Sequence, residues 1–451
     1  MIGKNKLQRI SDYILSKTKD FDQSEVSIFS LREKLTRFAN NEIHQNVAHS
    51  NLVIQLRTIK SKKIAFITTN NPDKKNLSQL VEQCRKISMV VPETPEFVSL
   101  PDKKCESSIK NHSRKSAHLT PEIMAEYVKN IIEIGSEKDK TLQLYGSFSA
   151  AEQEYSISNS LGIRAYQPVT VCELRINSIY DDGTTKSYGW SDFVDKDYTK
   201  IPVEELTAES CDKALKSRNP KNIEPGKYPV LLEEYASATM LQYYGIYGMG
   251  ARHIHEQKSF LLNRFNEKIV NENITICDDA FNELTIGLPF DFEGYPKQKV
   301  VIIENGIAKN VVYDSFFSNL DNKPNTGHAV PPSYSSIGPI PLNICLAPGT
   351  SSKDELIKDI HKGILITRFH YVRVVNERQA LITGMTRDGT FMIENGEISY
   401  PVKNLRFTQS ITEALSKCSG LGKNLKLESF DYVPVYGTAP ALKIDEFMFT
   451  S

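Results

Sequence analysis

The stretch GILITRFHYVRVVNERQALITGMTRDGTFMIENGEISYPV, residues 363–402, decides the fold class of the C-terminal half. Its apolar and β-branched residues recur in short runs, separated by the turn signals RDG at 387–389 and ENG at 394–396. An earlier stretch, QKVVIIENGIAKNVVYD at 298–314, has the same character, with ENG at 304–306. Short runs of this kind bounded by turn residues predict strands. Their density predicts a sandwich or barrel-like C-terminal domain.

The N-terminal half mixes strands with helices. LTRFANNEIHQNVAHSNLVIQLRTIKSKKIAFITT, residues 35–69, predicts an antiparallel meander because apolar and polar residues alternate between turns. Thr120 followed by Pro121 predicts the start of a helix, since Thr is a good N-cap and Pro is favoured at the first helical position. Another helix is predicted over about 203–217. Helices and strands without a regular βαβ alternation predict an α+β fold.

The chain of 451 residues is long enough for two domains. The segment SRNPKNIEPGKYP, residues 217–229, is rich in proline and glycine and is the best candidate for a boundary. The predicted organisation is therefore an N-terminal α+β domain over 1–217, with an antiparallel sheet and helices. A linker over 218–229 follows it, and then a β-rich C-terminal domain over 230–451.

Composition excludes several classes of protein. Lys plus Arg and Asp plus Glu both number 55, so the formal net charge is zero, whereas proteins that bind nucleic-acid backbones generally carry a basic excess. The seven cysteines are widely spaced and form no CxxC pair, which disfavours a disulfide framework or a zinc finger. No apolar run has the length of a signal peptide core or a membrane span. We expect a cytoplasmic protein without generic nucleic-acid or membrane binding.

Several stretches, in this order along the chain, carry a resemblance to a known family: RFANNEIHQNVAHSNLVIQLRTIKSKKIAFIT, NSLGIRAY, EPGKYPVLL, KSFLLNRFNEKIVNENITICDD, GLPFDFEG, NTGHA and APALKIDEF. With them the chain resembles the TldD/PmbA family, the subunits of a cytoplasmic zinc metalloprotease once named modulators of DNA gyrase. The resemblance implies two α+β domains with the chemistry in the C-terminal one. It also implies zinc held by an HExxxH helix and a late cysteine in TldD. The PmbA branch, also called TldE, lacks the histidines and acts as the partner in a heterodimer.

The resemblance places the HExxxH motif within KYPVLLEEYASATMLQYYGIYG, residues 227–248. The first histidine position is Glu233, the general-base glutamate is kept as Glu234, and the second histidine position is Ala238. The late cysteine has a possible counterpart in Cys418. Alanine provides no ligand atom, so no metal is expected in this chain. The alternative interpretation is an ordinary buried helix that includes Leu231 and Leu232, with the two glutamates capping its first turn.

Four other side chains are weaker candidates. His253 and His255 could join Cys418 as metal ligands, but residues two apart share a face only on a strand, and the alternative is a solvated polar loop. His328 and His370 could face a peptide groove, and the alternative is a packed or exposed histidine.

The resemblance predicts a PmbA/TldE-like subunit that pairs with a TldD-like chain, or with itself, and helps to enclose unfolded or leader peptides. Zinc would then belong to the partner subunit. Two alternatives remain open at this point. One is a self-sufficient metallopeptidase with an atypical metal set drawn from Glu233, Glu234, His253, His255 and Cys418. The other is a non-enzymatic modulator of DNA gyrase.

Overall fold

The computed structural model describes residues 1–430 and 435–451. Within them the strands form two sheets, of which the first has six strands in the order β3-β2-β1-β4-β5-β6. Every neighbouring pair in this sheet is antiparallel, which confirms the predicted antiparallel sheet of the N-terminal half. Its strands are β1 (Gln23–Ala39), β2 (Glu42–Lys60), β3 (Lys63–Thr69), β4 (Leu142–Asn159), β5 (Arg164–Asp181) and β6 (Lys186–Asp195).

Helices cover one face of this sheet. They are α1 (Lys4–Ser16), α2 (Lys74–Val90), α3 (Arg114–Ala117), α4 (Pro121–Lys138) and α5 (Val203–Lys216). Helices α1 and α2 enclose a core with β1 to β3, and α4 and α5 enclose a second core with β4 to β6. Thr120 caps α4 as predicted, because its side chain accepts from the Ile123 N–H.

The second sheet contains the other eleven strands of the described chain. They are β7 (Gly226–Leu232), β8 (Ile276–Asp278), β9 (Val300–Glu304), β10 (Ile307–Ala308), β11 (Asn343–Leu346), β12 (Lys362–Asn376), β13 (Leu381–Glu394), β14 (Glu397–Pro401), β15 (Arg406–Ser410), β16 (Cys418–Ser429) and β17 (Tyr436–Phe449). The helices of this half are α6 (Glu234–Ile246), α7 (Ala251–His255), α8 (Ser315–Leu320), α9 (Lys353–Lys358) and α10 (Ile411–Ser416).

Five strands of the second sheet close into a ring. β7 pairs with β12, β12 with β13, β13 with β15, β15 with β17, and β17 pairs back with β7. Closure removes the exposed edges that an open sheet would present. Helix α6 packs against β12 and β17 and contributes to the largest apolar core. The fold is therefore α+β, with the strand-rich, barrel-like C-terminal half that the sequence predicts.

Two local predictions are wrong. Leu231 and Leu232 belong to β7 rather than to the helix, because they pair with β12 and β17 and helix α6 starts only at Glu234. The RDG signal at 387–389 does not end a strand either. β13 runs through it as a bulge, in which Asp388 and Gly389 have φ of 54° and 124° and the pairing with β12 shifts by a residue.

The two halves contact each other through the face of the first sheet that the helices leave open. Val169 and Val194 of that sheet pack against Ile286 and Leu427. The Asn111 side-chain amide also donates to a carbonyl of the C-terminal half. β7 begins at residue 226, inside the segment predicted as the linker, and the domain division over 1–217 and 230–451 stays a prediction. Among the described residues no helix is long and apolar enough to cross a bilayer.

Candidate functional site

The junction between β7 and α6 places the two glutamates of the motif position. The backbone N–H of Glu233 donates to the Ile366 carbonyl at 2.9 Å, and its carbonyl accepts from the Ser237 N–H at 3.0 Å. Glu233 is thus the N-cap residue of α6, but its side chain caps no N–H of the helix. Glu234 occupies the first turn, where a carboxylate is favoured by the helix dipole.

The carboxylate of Glu233 is held between two lysines. Its Oε2 lies 2.6 Å from Lys213 Nζ, and its Oε1 lies 3.0 Å from Lys353 Nζ. Lys353 also lies 3.5 Å from Glu234, and Lys213 lies 2.6 Å from Glu209. Burial opposes the charged carboxylate, since Glu233 is 4% exposed, but the two ammonium groups outweigh burial and hold the pKa of Glu233 far below its usual value.

These residues do not fit a zinc site of the HExxxH kind. Such a site needs about three protein ligands and an open position for water. Both oxygens of Glu233 already accept from lysines, and a metal ion there would have to displace the ammonium of Lys213 into a buried environment. Ala238 is fully buried in the core around α6 and has no ligand atom. The part of the chain that the structure describes contains no cluster of three or more His, Cys, Asp or Glu side chains suited to a metal ion.

The weaker metal candidates do not share a face. His253 and His255 lie on helix α7, not on a strand, so side chains two residues apart diverge. His253 is buried, which lowers its pKa to about 4, whereas His255 is half exposed and lies 3.6 Å from Asp321. Cys418 is buried in the apolar core, where burial raises its pKa to about 12.

His328 is a packed histidine and not a groove residue. It is fully buried, with Nε2 at 2.9 Å from Asp278 and Nδ1 at 2.9 Å from Thr326. Lys297 lies 3.0 Å from the same Asp278 oxygen. The imidazole therefore belongs to a buried polar network beneath β8, and this network replaces the predicted contact with a peptide.

His370 lines a cavity that we call the α6 cavity. It has a volume of about 240 Å³ and lies between the two halves of the chain. Helix α6 contributes Tyr235, Thr239, Gln242 and Tyr243; β6 contributes Trp190 and Asp192; β12 contributes residues 368–373; and Glu428, Ser429 and Phe430 complete the wall. Burial and the nearby Arg387 and Arg368 lower the pKa of His370, so its ring is neutral near pH 7.

Two carboxyl groups from different halves meet at this cavity. Asp192 of β6 and Glu428 of β16 are 5% and 8% exposed. Asp192 Oδ1 and Glu428 Oε1 have no hydrogen-bond donor among the described residues, although the Lys426 ammonium lies 3.5 Å from Asp192 Oδ1, and the two carboxyl groups contact each other. Burial, followed by the charge of Asp192, raises the pKa of Glu428 well above its usual value, which the nearby Lys426 only partly offsets. A protonated Glu428 can donate to the Asp192 carboxylate.

Replacing Glu428 by glutamine is expected to flatten the pH dependence of stability. Because the pKa of Glu428 is raised in the folded chain, its contribution is complete below about pH 4, the ordinary range of a glutamic acid, and is lost as the pH rises toward the folded-state pKa. Glutamine keeps a donor for Asp192 but cannot ionise. Thermal unfolding between about pH 5 and pH 9 should show a smaller fall for E428Q than for the wild type.

The matched control for that measurement is Glu397→Gln, which removes an exposed carboxyl group of β14. This control should follow the wild-type curve. If E428Q follows it as well, Asp192 and Glu428 do not share a proton.

Sequence reasoning missed the side chains that define this region. Lys213 of α5 and Lys353 of α9 lie 20 and 120 positions from Glu233, and a single lysine in the sequence gives no local sign that it is buried. Asp192 and Glu428 sit in strands of different sheets. The alternation of β6 is broken at Ser191 and Asp192, which are consecutive and both buried, so strand periodicity does not mark Asp192 as an inward position.

Comparison with known proteins gives three adjoining family matches. Residues 225–451 match the PmbA/TldA metallopeptidase C-terminal domain, residues 24–88 match domain 1 of the same metallopeptidases, and residues 114–218 match their central domain. The chain is also similar in structure to TldE from Thermococcus kodakarensis, with a TM-score of 0.90 over 99% of this chain and all of that one. At 20% identity this likeness concerns the fold alone.

Curated relatives are similar over shorter segments. The metalloprotease TldD homolog of Buchnera aphidicola from Acyrthosiphon pisum is 28% identical over 249 residues, covering 54% of this chain and 51% of that protein. The metalloprotease PmbA homolog of Haemophilus influenzae is 23% identical over 254 residues, covering 55% and 52%. The chain thus spans about half the length of these relatives.

Proposed function

The chain belongs to the PmbA/TldA metallopeptidase family, and within it we propose the role of a PmbA/TldE-like subunit without a zinc site of its own. It would pair with a TldD-like chain that carries HExxxH, and the pair would cleave unfolded or leader peptides. The observation that carries this proposal is the ion-paired state of Glu233, whose two oxygens accept from Lys213 and Lys353 where a catalytic member would hold a metal ligand.

The charge balance at the motif position supports this role. Two ammonium groups already neutralise the buried carboxylate, so a divalent cation in the same place would be repelled by both. Removing a lysine from the pair would leave a buried charge uncompensated, which is strongly destabilising. Glu234 contacts Lys353 at 3.5 Å and so keeps an ion-pair partner instead of a metal-bound water.

The surfaces between the two halves support a contribution to peptide binding. Besides the α6 cavity, a cleft of about 880 Å³ lies between the first sheet and the loops of the C-terminal half. Its walls include the aromatic rings of Phe66, Phe292 and Phe316, together with Arg57, which is paired with Glu293 at 2.9 Å. Charged side chains line the cleft as well, among them Glu25, Glu256 and Asp314, and the cleft has the size to accept an extended peptide segment.

Co-expression with a TldD-like homologue that carries HExxxH tests the proposal. We expect the two chains to co-purify, the complex to contain zinc and cleave an unfolded peptide, and Glu234→Gln in this chain to leave that cleavage unchanged. The same glutamate-to-glutamine change in the homologue should abolish cleavage.

Three other results would count against the proposal. Stoichiometric zinc in the purified chain, with chelator-sensitive peptide cleavage, would contradict the proposal and favour the self-sufficient metallopeptidase. A stable homodimer that never binds the homologue would contradict the partner role. An effect of the isolated chain on supercoiling by DNA gyrase would favour the gyrase-modulator alternative.

A further inference from the structure

Two of the seven cysteines face each other across a pair of strands. Cys277 of β8 lies directly opposite Cys345 of β11 in an antiparallel register. Side chains that are directly opposite in such a pair point to the same face, with Cβ atoms about 4.5–5.5 Å apart. A disulfide needs Cβ atoms about 3.5–4.5 Å apart and Cα atoms within about 7 Å. A small adjustment of the two strands therefore suffices to join the sulfurs.

The two thiols differ in exposure and in chemistry. Cys277 is half-buried, whereas Cys345 is 6% exposed. The neighbouring Cys345 thiol lowers the pKa of Cys277, burial opposes this, and the Lys299 ammonium lowers it further. The Cys345 thiol donates to the Asn343 carbonyl at 3.5 Å, and the proximity of Cys277 together with burial raises the pKa of Cys345. A half-buried thiol of lowered pKa beside a buried thiol is the arrangement of an attacking cysteine with its resolving partner.

We propose that Cys277 and Cys345 form a redox site that hydrogen peroxide converts into a cross-strand disulfide. The Cys277 thiolate attacks one peroxide oxygen, the O–O bond breaks, and one water leaves after protonation, which gives a sulfenic acid. The Cys345 sulfur then attacks the Cys277 sulfur, the S–OH bond breaks, and a second water leaves with the thiol proton. The two thiols lose two electrons in total, and the peroxide gains them.

The other cysteines lack this combination. Cys84, Cys172, Cys211 and Cys418 are buried, and burial raises the pKa of each. Cys105 is also half-buried, but burial raises its pKa, its sulfur donates to the Pro289 carbonyl at 3.1 Å, and no cysteine lies opposite it in a strand pair. Oxidation to an intramolecular disulfide is therefore specific to the β8–β11 pair.

The disulfide would covalently link β8 to β11, in a part of the second sheet that few strand pairs connect to the ring. β8 links the β9–β10 hairpin to β11, and β11 pairs with β17 of the ring. The carboxylate of Asp278, which follows Cys277, forms hydrogen bonds with the side chains of Lys297 and His328 and accepts one from the Asn343 backbone N–H. Oxidation would fix these contacts in place. This inference does not depend on the proposed peptidase role.

Peroxide treatment of the reduced full-length chain tests the site. After quenching, alkylation and digestion without reductant, mass spectrometry should find the Cys277 and Cys345 peptides joined, with a mass lower by two hydrogens, and dithiothreitol should separate them. In Cys345→Ser the joined peptide should be lost, and dimedone should capture a sulfenic acid at Cys277 that the wild type does not accumulate. In Cys277→Ser the buried Cys345 should stay reduced.

Cys105 is the internal control in every sample, because it should react with alkylating agents without joining another cysteine. Dimedone added before peroxide to the wild type should prevent the joined peptide, which tests the same order of events without a variant. A wild-type chain treated with peroxide alone that forms no joined peptide, and whose Cys277 is still captured when dimedone is added afterwards, would overturn the proposal. Equal oxidation of Cys345 in the Cys277→Ser variant would overturn it too.

Discussion

Replacing Lys213 by methionine is expected to lower the free energy of unfolding by about 3 kcal/mol, because it leaves a buried carboxylate short of a partner. Glu233 is 4% exposed and its Oε2 accepts from Lys213 at 2.6 Å. Methionine keeps the length and the apolar stem of lysine, so the loss reports the charge rather than the packing. Lys353 still contacts Glu233 at 3.0 Å, so Glu233 keeps one of its two ion pairs, while the pair between Lys213 and the more exposed Glu209 is lost as well.

Two further variants make this result specific to the buried pair. Lys227 pairs with Glu446 at 2.5 Å on the surface, and Lys227→Met should leave unfolding by urea unchanged. In the double variant Lys213→Met with Glu233→Gln the buried charge is absent, and about half of the lost stability should return, since contacting residues couple strongly. A K213M chain as stable as the K227M chain would mean that the ammonium of Lys213 does not balance Glu233.

Features encoded by adjacent residues could be predicted from the sequence. The start of α4 follows from Thr120 and Pro121, whose capping chemistry is local. The turns at 304–306 and 394–396 follow from Asn-Gly pairs, in which both residues adopt positive φ. The α+β class follows from the change between helical and strand periodicity along the chain, and the antiparallel N-terminal sheet follows from strand patterns separated by turns. In each case the deciding residues are neighbours.

Features that depend on distant partners could not be predicted. Leu231 and Leu232 form part of a short apolar run that is compatible with a helix or a strand. They form a strand because Leu232 pairs with Leu442, more than two hundred positions later in the chain. The closed ring depends on the same pairing. The state of Glu233 likewise depends on lysines from α5 and α9, so the sequence revealed the absent histidines but not what balances the carboxylate that remains.

Ala238→His places a histidine where the resemblance implies the second histidine of HExxxH, and it is expected to destabilise the chain by about 3 kcal/mol or more. Ala238 is fully buried within the core that α6 shares with β12 and β17. The imidazole would overfill this core and bury ring nitrogens without partners. Zinc should not restore the stability, because the Glu233 oxygens are already taken by Lys213 and Lys353.

Thr239→His is the matched control, since it adds the same side chain one residue further along α6. Thr239 is half-buried and lines the α6 cavity, so its replacement should cost less than about 1 kcal/mol. Urea unfolding with and without zinc, combined with metal analysis, separates the two variants. If A238H were as stable as T239H and bound one equivalent of zinc, position 238 would face an open ligand site, and the interpretation of α6 as a scaffold helix beside a metal-free ion pair would be wrong.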